Sequence, residues 1–400
     1  MRRVKAVLNV ASILLFTALY PESTTVSRIE QTFAIHNLVK YWKDDDLLVV
    51  KPVRVRIKNF LRAFRVSTIK IDGISIVSIP FIQVPLLDFP SFISFFLLLG
   101  ITLRKRSFTP EIALSHYDIS HIIASRVSRA RKIPHIAVVH NADLNRIARK
   151  GVTGTRVLRS ILSANSIAFR SEQIQKKFNR IEGVTLGSKA TAIIASGVEQ
   201  GAIIPSASFF AKALVPCTRI VTVAALKKRK NIMNIIEALR EIRDIPWHFT
   251  VIGDGEERKA LETAVARHGL SDKVFFTGLL DHANVMSSLE SSNIFILPSE
   301  GETFGLAYLE AMAKGCIVIA LKGEGIDGVI ESDINGFLCE TPSPDEIART
   351  LKKALFLNED QRMKMLKSAY ETVNEYTESY RSDIYRSVVQ STLDKGFSGQ

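Results

Sequence analysis

The chain has 400 residues, of which 46% are hydrophobic and 23% are charged, and its formal net charge is +13. This length exceeds what one hydrophobic core usually serves, and it suits two domains of about 200 residues each. The balance of apolar and charged residues excludes an intrinsically disordered chain. Three cysteines without a Cys-x-x-Cys pair indicate neither a disulfide framework nor a zinc knuckle. A reducing cytoplasm is therefore the expected setting.

The positive charge is confined to the first half of the chain. Residues 1–200 contain 30 Lys or Arg against 13 Asp or Glu, whereas residues 201–400 contain 23 against 27. Residues 51–70 contain no acid and seven cations, namely Lys51, Arg54, Arg56, Lys58, Arg62, Arg65 and Lys70. Such a patch could bind nucleic acid or an anionic membrane surface. The apolar stretch that follows favours the membrane, and we expect no nucleic-acid partner.

Residues 79–103 are strongly apolar, but Pro80, Pro85, Asp88 and Pro90 interrupt them. Only residues 91–103 could form a continuous helix, and these 13 residues fall short of the roughly 20 that a membrane span needs. Three cations follow at residues 104–106. The pattern predicts either an interfacial helix anchored by basic residues or a buried core helix of the first domain.

The first 20 residues imitate a secretory signal peptide, because a basic start precedes an apolar run. No convincing small-x-small cleavage site follows, and residues 12–19 also suit a buried strand before the helix-like residues 28–42. We therefore expect a strand–loop–helix start.

Short apolar runs alternate with helical segments along the whole chain. In the first half the runs are residues 12–19, 47–52, 119–124, 135–140, 166–169 and 192–194. In the second half the predicted strands are residues 219–225, 248–253, 274–278, 294–298 and 316–320. Predicted helices are residues 231–242, 256–268, 283–291, 306–314, 344–357, 359–376 and those after 378. This alternation is typical of parallel sheets covered on both faces. The expected fold class is α/β, with two doubly wound, Rossmann-like domains facing a cleft.

The most informative segment is residues 298–315, Pro-Ser-Glu-Gly-Glu-Thr-Phe-Gly-Leu-Ala-Tyr-Leu-Glu-Ala-Met-Ala-Lys-Gly. A predicted strand precedes it, Gly305 marks a turn, and a helix begins at Leu306. The start of such a helix exposes unpaired N–H groups that suit a phosphate. Glu302 lies in the turn, where it could face a sugar, and Glu310 lies where it could reach nucleoside hydroxyls. A glutamate on a helix is usually a solvated surface residue, so spacing alone does not establish a ligand role for either carboxylate.

Two further strand ends in the second half suit an anion. Gly253-Asp-Gly ends a predicted strand and opens a helix, so that a ligand could approach the backbone. Four consecutive cations, Lys227, Lys228, Arg229 and Lys230, follow the first predicted strand of this half. They could neutralise a pyrophosphate, although a solvated basic turn has the same composition. Residues 322–328 add a glycine-rich loop.

In the first half, His140 stands at the end of an apolar run and Asp143 follows it. A histidine there could be structural or catalytic. Residues 118–121, Asp-Ile-Ser-His, are a weaker second signal.

These segments together resemble the retaining glycosyltransferases of family 4. Glu-Thr-Phe-Gly-Leu-x-x-x-Glu-Ala-Met-Ala-x-Gly carries the family's Glu-x7-Glu signature, and the resemblance covers nearly all of residues 215–355 with its motifs in order. It is looser over residues 10–200, where acceptor recognition lies. The sequence departs from the family at Ala225. Family members usually have an Arg at this position and a Lys five residues later, and both bind the phosphates of the nucleotide. Lys230 matches that Lys, but Ala225 stands in place of the Arg. Lys227, Lys228 or Arg229 could substitute.

The resemblance implies the GT-B fold and the transfer of a sugar from a nucleotide-sugar to an acceptor hydroxyl, with retention at the anomeric carbon. His140 and Glu302 would contact the reacting sugar, Glu310 the ribose, and Asp143 would lie on the acceptor side. The donor-binding set it implies is Lys230, Gly253, Glu302, Phe304, Gly305, Leu306 and Glu310. We expect no cofactor besides this co-substrate and no metal.

The expected organisation is an acceptor domain at residues 1–204, a hinge at 205–216, a donor domain at 217–375, and a last helix at 376–400 that crosses back. The basic first domain suggests a lipid-linked or other saccharide acceptor at the cytoplasmic face of a membrane, in surface-polysaccharide synthesis. One alternative is a GT-B nucleotide-sugar epimerase, which binds the same donor without an acceptor. Another is a catalytically inactive, membrane-associated partner subunit, to which Ala225 gives some substance.

Overall fold

A computed structural model describes residues 10–21, 33–55, 65–82, 91–216 and 218–397 of the chain. Their contacts divide the chain into two compact units. The first unit takes the chain up to Arg170, residues 174–194 and the residues from Ser382 onward, and the second takes residues 171–173 and 195–381. Each unit is built around one sheet.

The strands of the first unit are β1 (Ser12–Thr17), β2 (Asp46–Val55), β3 (Ser67–Ile71), β4 (Ile74–Ile82), β5 (Ile112–His116), β6 (His135–Val139), β7 (Ser166–Phe169) and β8 (Ala190–Ile193). Those of the second are β9 (Arg219–Val223), β10 (His248–Ile252), β11 (Val274–Gly278), β12 (Ile294–Leu297), β13 (Ile317–Leu321) and β14 (Phe337–Cys339). The strand orders are β3-β4-β2-β1-β5-β6-β7-β8 and β11-β10-β9-β12-β13-β14. All neighbouring pairs are parallel except β3 with β4.

The α-helices of the described residues, in chain order, are α1 (His36–Val39), α2 (Ser91–Lys105), α3 (Ile119–Arg131), α4 (Asn141–Ala148), α5 (Val152–Leu162), α6 (Glu172–Asn179), α7 (Ser206–Ala211), α8 (Ile232–Arg240), α9 (Arg258–Arg267), α10 (His282–Ser291), α11 (Leu306–Ala313), α12 (Pro344–Leu355), α13 (Glu359–Glu375) and α14 (Glu378–Phe397). None of the helices in this part of the chain is long and apolar enough to cross a membrane.

Successive residues of β1 explain why the first sheet is covered on both faces. Leu14 and Phe16 belong to one core cluster, whereas Ile13 and Leu15 belong to the other. Since neighbouring side chains of a strand point to opposite faces, a continuous apolar run requires cover on both sides. The predicted α/β class is confirmed.

Each sheet reverses its strand order at one place. In the first unit β1 lies between β2 and β5, and in the second β9 lies between β10 and β12. The carboxyl ends of the strands beside such a reversal are the usual ligand-binding place of open α/β sheets. The loops after β5, β6, β9 and β12 are therefore the ones to inspect.

The last helix completes the core of the first unit. Tyr385, Val389 and Leu393 are buried in the same cluster as Ile13 and Leu15. In addition, Trp42 Nε1 donates a hydrogen bond to the Ser382 carbonyl (3.4 Å), and Arg386 pairs with the buried Asp45 (Nε to Oδ2, 2.8 Å).

Two sequence expectations differ from the structure. Residues 119–124 are the start of α3 and not a strand, because Ile119, Ile122, Ile123 and Val127 repeat at helical spacing; the strand here is β5. Residues 205–216, predicted as a hinge, contain α7 and lie inside the second unit, whose contacts begin at Ala195. Residues 56–64 of the basic run, residues 83–90 of the 79–103 stretch and residues 28–32 of the predicted helix 28–42 fall outside the described residues. In the described part of that predicted helix, α1 occupies only His36–Val39.

Candidate active site

The loops after β9 and β12 are joined by hydrogen bonds. Asn231 Nδ2 donates to the Pro298 carbonyl (2.8 Å), the Glu300 amide donates to the Arg229 carbonyl (2.8 Å), and Arg229 Nη1 donates to the Glu300 carbonyl (3.1 Å). These bonds fix the cationic run of the first loop against the acidic turn of the second. The sequence predicted both loops at strand ends, and the structure brings them together.

A mostly buried ion pair, with side chains 11% and 15% exposed, lies between these loops. Lys230 Nζ donates to Glu302 Oε1, and Ser299 Oγ donates to the same oxygen at 2.9 Å. Burial alone would raise the pKa of Glu302, but the charge and hydrogen bond of Lys230 outweigh it, so the pKa is lowered. The pKa of Lys230 is also lowered, because burial and the cations beside it outweigh the attraction of Glu302. At neutral pH the pair presents a fixed carboxylate.

Further contacts fix the backbone around Glu302. The Glu302 amide donates to Glu324 Oε2 at 3.0 Å. Gly325 belongs to the same loop as Glu324, and a Cβ on it would lie 2.4 Å from the carbonyl carbon of Thr303. The glycine-rich loop after β13 therefore packs directly against the turn, which gives Gly325 a packing reason. Sequence reasoning singled out this loop but did not predict the role of Glu324.

A buried tyrosine determines the start of α11. Gly305 has φ = +87°, and a Cβ there would lie 2.4 Å from the ring of Tyr308, whose hydroxyl donates to the Leu297 carbonyl at 2.6 Å. The first N–H groups of the helix, from Leu306 onward, have no partner inside the helix. Phe304, predicted to bind the donor, is buried and stacks on Tyr376 with 6.1 Å between ring centroids. Its side chain therefore anchors the turn.

Gly253 is required by the protein's own backbone. It has φ = +134°, and a Cβ on it would lie 1.9 Å from the Ala224 carbonyl oxygen. The sequence predicted that Gly253 leaves room for a ligand. In the structure the space beside it is taken by the backbone just after β9, which already explains why a glycine is needed. Ala225, next in the chain, is half-buried, whereas the side chains of Lys227, Lys228 and Arg229 are exposed. Of these three, Arg229 lies nearest the ion pair, with Nη1 3.5 Å from Glu302 Oε1.

Glu310 lies on the second turn of α11 and contacts a histidine that the sequence analysis missed. Its Oε1 is 3.1 Å from Nε2 of His282, the first residue of α10, and the two side chains are 14% and 40% exposed. The signal for His282 was its place just after β11, at the same edge of the sheet as the other loops.

In the first unit, His140 follows β6 directly and lies in a buried polar cluster. Its Nε2 is 3.0 Å from Nδ1 of His116, and Nε2 of His116 is 2.9 Å from the Tyr385 hydroxyl. The Tyr117 ring lies against His140, with 3.7 Å between centroids. Burial foremost lowers the pKa of both His116 and His140, so both rings are neutral. The charge of Arg170 lowers the pKa of His116 further, and His116 followed by Arg170 does so for His140. His116, Arg170 and Tyr385 were not predicted, because they come from separate segments of the chain and leave no local pattern.

Asp143, predicted to lie on the acceptor side, is completely buried. Its two oxygens accept the amides of Asp118 (2.6 Å) and His140 (2.7 Å). Tyr117 and Asp118 have φ of +66° and +42°, values that are strained for residues other than glycine. Asp143 thus holds two bent loops together and positions His140, and its carboxylate has no surface with which to contact an acceptor.

Among the described residues no group of three potential metal ligands exists.

Comparison with known proteins finds a family model that matches the part of the chain around Glu302. Residues 216–372 match the model of the family described as glycosyl transferases group 1. The amylovoran biosynthesis glycosyltransferase AmsK of Erwinia amylovora is 26% identical over 267 residues, 63% of each chain. The N-acetyl-alpha-D-glucosaminyl L-malate synthase of Bacillus anthracis is 25% identical over 258 residues, which are 60% of this chain and 63% of that protein. The matches therefore span less than two thirds of either relative.

A solved structure extends the likeness to both units. HepE of Anabaena, in complex with UDP and glucose, matches with a TM-score of 0.69 and 16% identity, over 95% of this chain and 100% of that one. The two sheets, with a glycine-rich, charge-lined strand edge in the second, have the GT-B fold. The match to the glycosyl transferases of group 1 covers residues 216–372, which lie in the second unit.

Proposed function

We propose that the protein is a retaining glycosyltransferase, which moves a sugar from a nucleotide-sugar to an acceptor hydroxyl. The observation that carries the proposal is the fixed Glu302 carboxylate, held by Lys230 and Ser299 beside the start of α11. A carboxylate pairs well with sugar hydroxyls, and a helix start pairs well with phosphate. Both lie where the second sheet reverses its strand order. Structural likeness to a protein solved with UDP and glucose supports this choice of donor class.

The departing nucleoside diphosphate gains negative charge as its bond to the sugar breaks. Lys230, Arg229 and the N–H groups at the start of α11 stabilise that charge, because they are already oriented before the reaction. We assign to Arg229 the role of the Arg that Ala225 replaces, since its guanidinium lies beside Glu302 and can bind a phosphate through two N–H groups. Lys227 and Lys228 add positive charge to the same loop.

The reaction needs no covalent intermediate with the protein. The bond between the anomeric carbon and the phosphate oxygen breaks as the acceptor oxygen bonds to that carbon on the same face. The acceptor's proton passes to the departing phosphate oxygen. Glu302 orients the sugar and Glu310 binds the ribose.

We further propose that the acceptor is a lipid-linked saccharide at an anionic membrane surface, in surface-polysaccharide synthesis. The excess of cations in residues 1–200 supports this acceptor. So does the relative named for amylovoran biosynthesis.

A screen of nucleotide-sugars tests the proposal in two stages. A donor that binds only the folded protein must raise its melting temperature, so one nucleotide-sugar should do so more than the rest. With that donor and a membrane extract, nucleoside diphosphate should be released and the product should keep the anomeric configuration of the donor. Conversion of the donor without any acceptor would instead indicate an epimerase. Binding without release in the presence of extract would indicate an inactive partner subunit, and no binding by any donor would refute the proposal.

A further inference from the structure

Helix α2 is apolar on two sides, but the core of the first unit uses only one of them. Phe92, Phe95, Leu99 and Leu103 are buried in the core. Ile93, Leu97 and Ile101 are 66%, 61% and 43% exposed. The three recur every four residues, so they form one line along the outer side of the helix. The two expectations for this segment, a core helix and an interfacial helix, therefore describe opposite sides of the same helix.

The outer line of α2 leads into a cluster of cations. Arg104, Lys105 and Arg106 are exposed at the end of the helix. Arg106 Nη2 donates to Thr68 Oγ1 of β3 at 3.2 Å, which places this end beside the edge of the first sheet.

Strand β3 continues the same composition. Val66, Ile69 and Lys70 are exposed there. Neither residues 65–71 nor residues 91–110 contain an acid. We call the following exposed side chains the α2–β3 face: Ile93, Leu97, Ile101, Arg104, Lys105, Arg106, Val66, Ile69 and Lys70.

We propose that the α2–β3 face lies in the interface of an anionic lipid bilayer, with Ile93, Leu97 and Ile101 among the acyl chains and the cations against lipid phosphates. A row of exposed large apolar side chains marks a docking surface, and its cations select the partner. An anionic bilayer offers both an apolar layer and a dense negative surface, whereas nucleic acid offers no apolar layer. The inference rests on the proposed function, since it names the surface at which the acceptor is met.

A cavity at the start of α2 fits this placement. Its lining includes the apolar side chains of Pro52, Phe81 and Phe92 and the charged side chains of Arg54, Asp118 and Arg146. Phe92 belongs to the first turn of α2 and is buried, so the cavity lies on the inner side of the helix, next to the residue at which the outer line begins. The lining also reaches the carboxyl end of β5, since Asp118 follows that strand. The cavity therefore offers both apolar and charged groups to an amphipathic acceptor.

Flotation of the full-length protein with vesicles tests the face. Vesicles of phosphatidylcholine alone and vesicles that also contain phosphatidylglycerol are compared. We expect binding to the second kind and little to the first. Leu97→Asp should weaken binding at least tenfold, because the side chain would carry a charge into the apolar layer. Replacing Arg104, Lys105 and Arg106 together by Gln should weaken binding about 100-fold, at about one factor of five for each cation.

Phe356→Asp is the matched control. Phe356 is also a large apolar side chain, 69% exposed, but it lies in the second unit. This variant should bind vesicles as the unchanged protein does, and all variants should keep its melting temperature. Binding that is equal for Leu97→Asp and Phe356→Asp would overturn the inference, as would the absence of binding by the unchanged protein. A self-association that Leu97→Asp abolishes, without vesicle binding, would assign the face to a second copy and overturn it too.

The two proposals fail in different ways. Thermal stabilisation by the donor reports on the second unit and needs no lipid. If Leu97→Asp loses vesicle binding but keeps this stabilisation, the membrane face is supported independently of the reaction. If vesicles bind but no nucleotide-sugar stabilises the protein, the proposed reaction fails while the face remains.

Discussion

Replacing Glu310 by Ala should weaken nucleotide binding far more than it weakens the fold. In the absence of a nucleotide the carboxylate contacts His282 at 3.1 Å. That histidine is 40% exposed, so water can take over its hydrogen bond. The substitution should therefore lower the free energy of unfolding by less than about 1 kcal/mol.

The cost to binding is larger, because a carboxylate that accepts from ribose hydroxyls makes charge-assisted hydrogen bonds. Such a bond contributes about 1.5–3 kcal/mol. Taking about 2 kcal/mol gives a loss of affinity of about 30-fold. The side chain is only 14% exposed, so little water reaches it to compensate.

Titration calorimetry with the nucleoside diphosphate that binds best would measure this loss, and urea unfolding would measure the change in stability. His282→Ala is the control, since it removes the same contact but keeps the carboxylate, and it should leave the affinity within about threefold. The affinity of Glu310→Gln for the nucleotide should lie between those of Glu310→Ala and His282→Ala. An affinity for Glu310→Ala equal to that of the unchanged protein would refute the role assigned to Glu310.

Three other predictions concern stability, each measurable by urea unfolding. Gly253→Ala should lower the free energy of unfolding by about 3 kcal/mol or more, because the residue has φ = +134° and the new Cβ would lie 1.9 Å from the Ala224 carbonyl oxygen. The control is Gly100→Ala in α2, where no atom lies within 4 Å of the new Cβ. It should raise the free energy of unfolding by about 0.5–1 kcal/mol. Lys230→Met should cost about 2 kcal/mol by leaving Glu302 buried and unbalanced, and adding Glu302→Gln should restore part of it, so a purely additive pair of changes contradicts the prediction. Burial lowers the pKa of His135 from 6.5 to about 3; the unfolded chain therefore binds the extra proton between these values, and stability should fall as pH drops through this window, by about 2 kcal/mol at pH 5 for this ring. A flat profile between pH 7 and pH 5 would contradict it.

The second unit could be predicted from its sequence almost strand by strand. The predicted strand at residues 274–278 has the observed bounds, and the helix predicted from residue 306 begins there. Its strands are mostly apolar and its turns carry glycine, so the hydrophobic pattern and the turn residues indicate the same element boundaries. The turn that carries Glu302 was located for the same reason.

The first unit departs from the prediction where polar residues are buried. Strand β5 contains Ser115 and His116, which look like loop residues in the sequence. In the structure Ser115 Oγ lies 2.8 Å from both His121 and His135, and such partners come from other elements and leave no local pattern. The contacts of Glu302 with Ser299 and Glu324, and of Glu310 with His282, are hidden for the same reason. The residue types alone indicated what kind of chemistry the site could perform. Which side chains contact one another depends on how the folded chain brings the ends of separate strands together.

The position of α14 has a consequence for the order in which the chain acquires its shape during synthesis. Trp42 and Asp45 find their partners at Ser382 and Arg386, contacts about as far apart in the chain as its length permits. A ribosome that has released the first 200 residues has therefore not yet supplied Tyr385, Val389 and Leu393 to their core. The unit synthesised first would be finished last and would expose apolar surface in the meantime. A premature stop near residue 380 would then harm the beginning of the protein more than its middle.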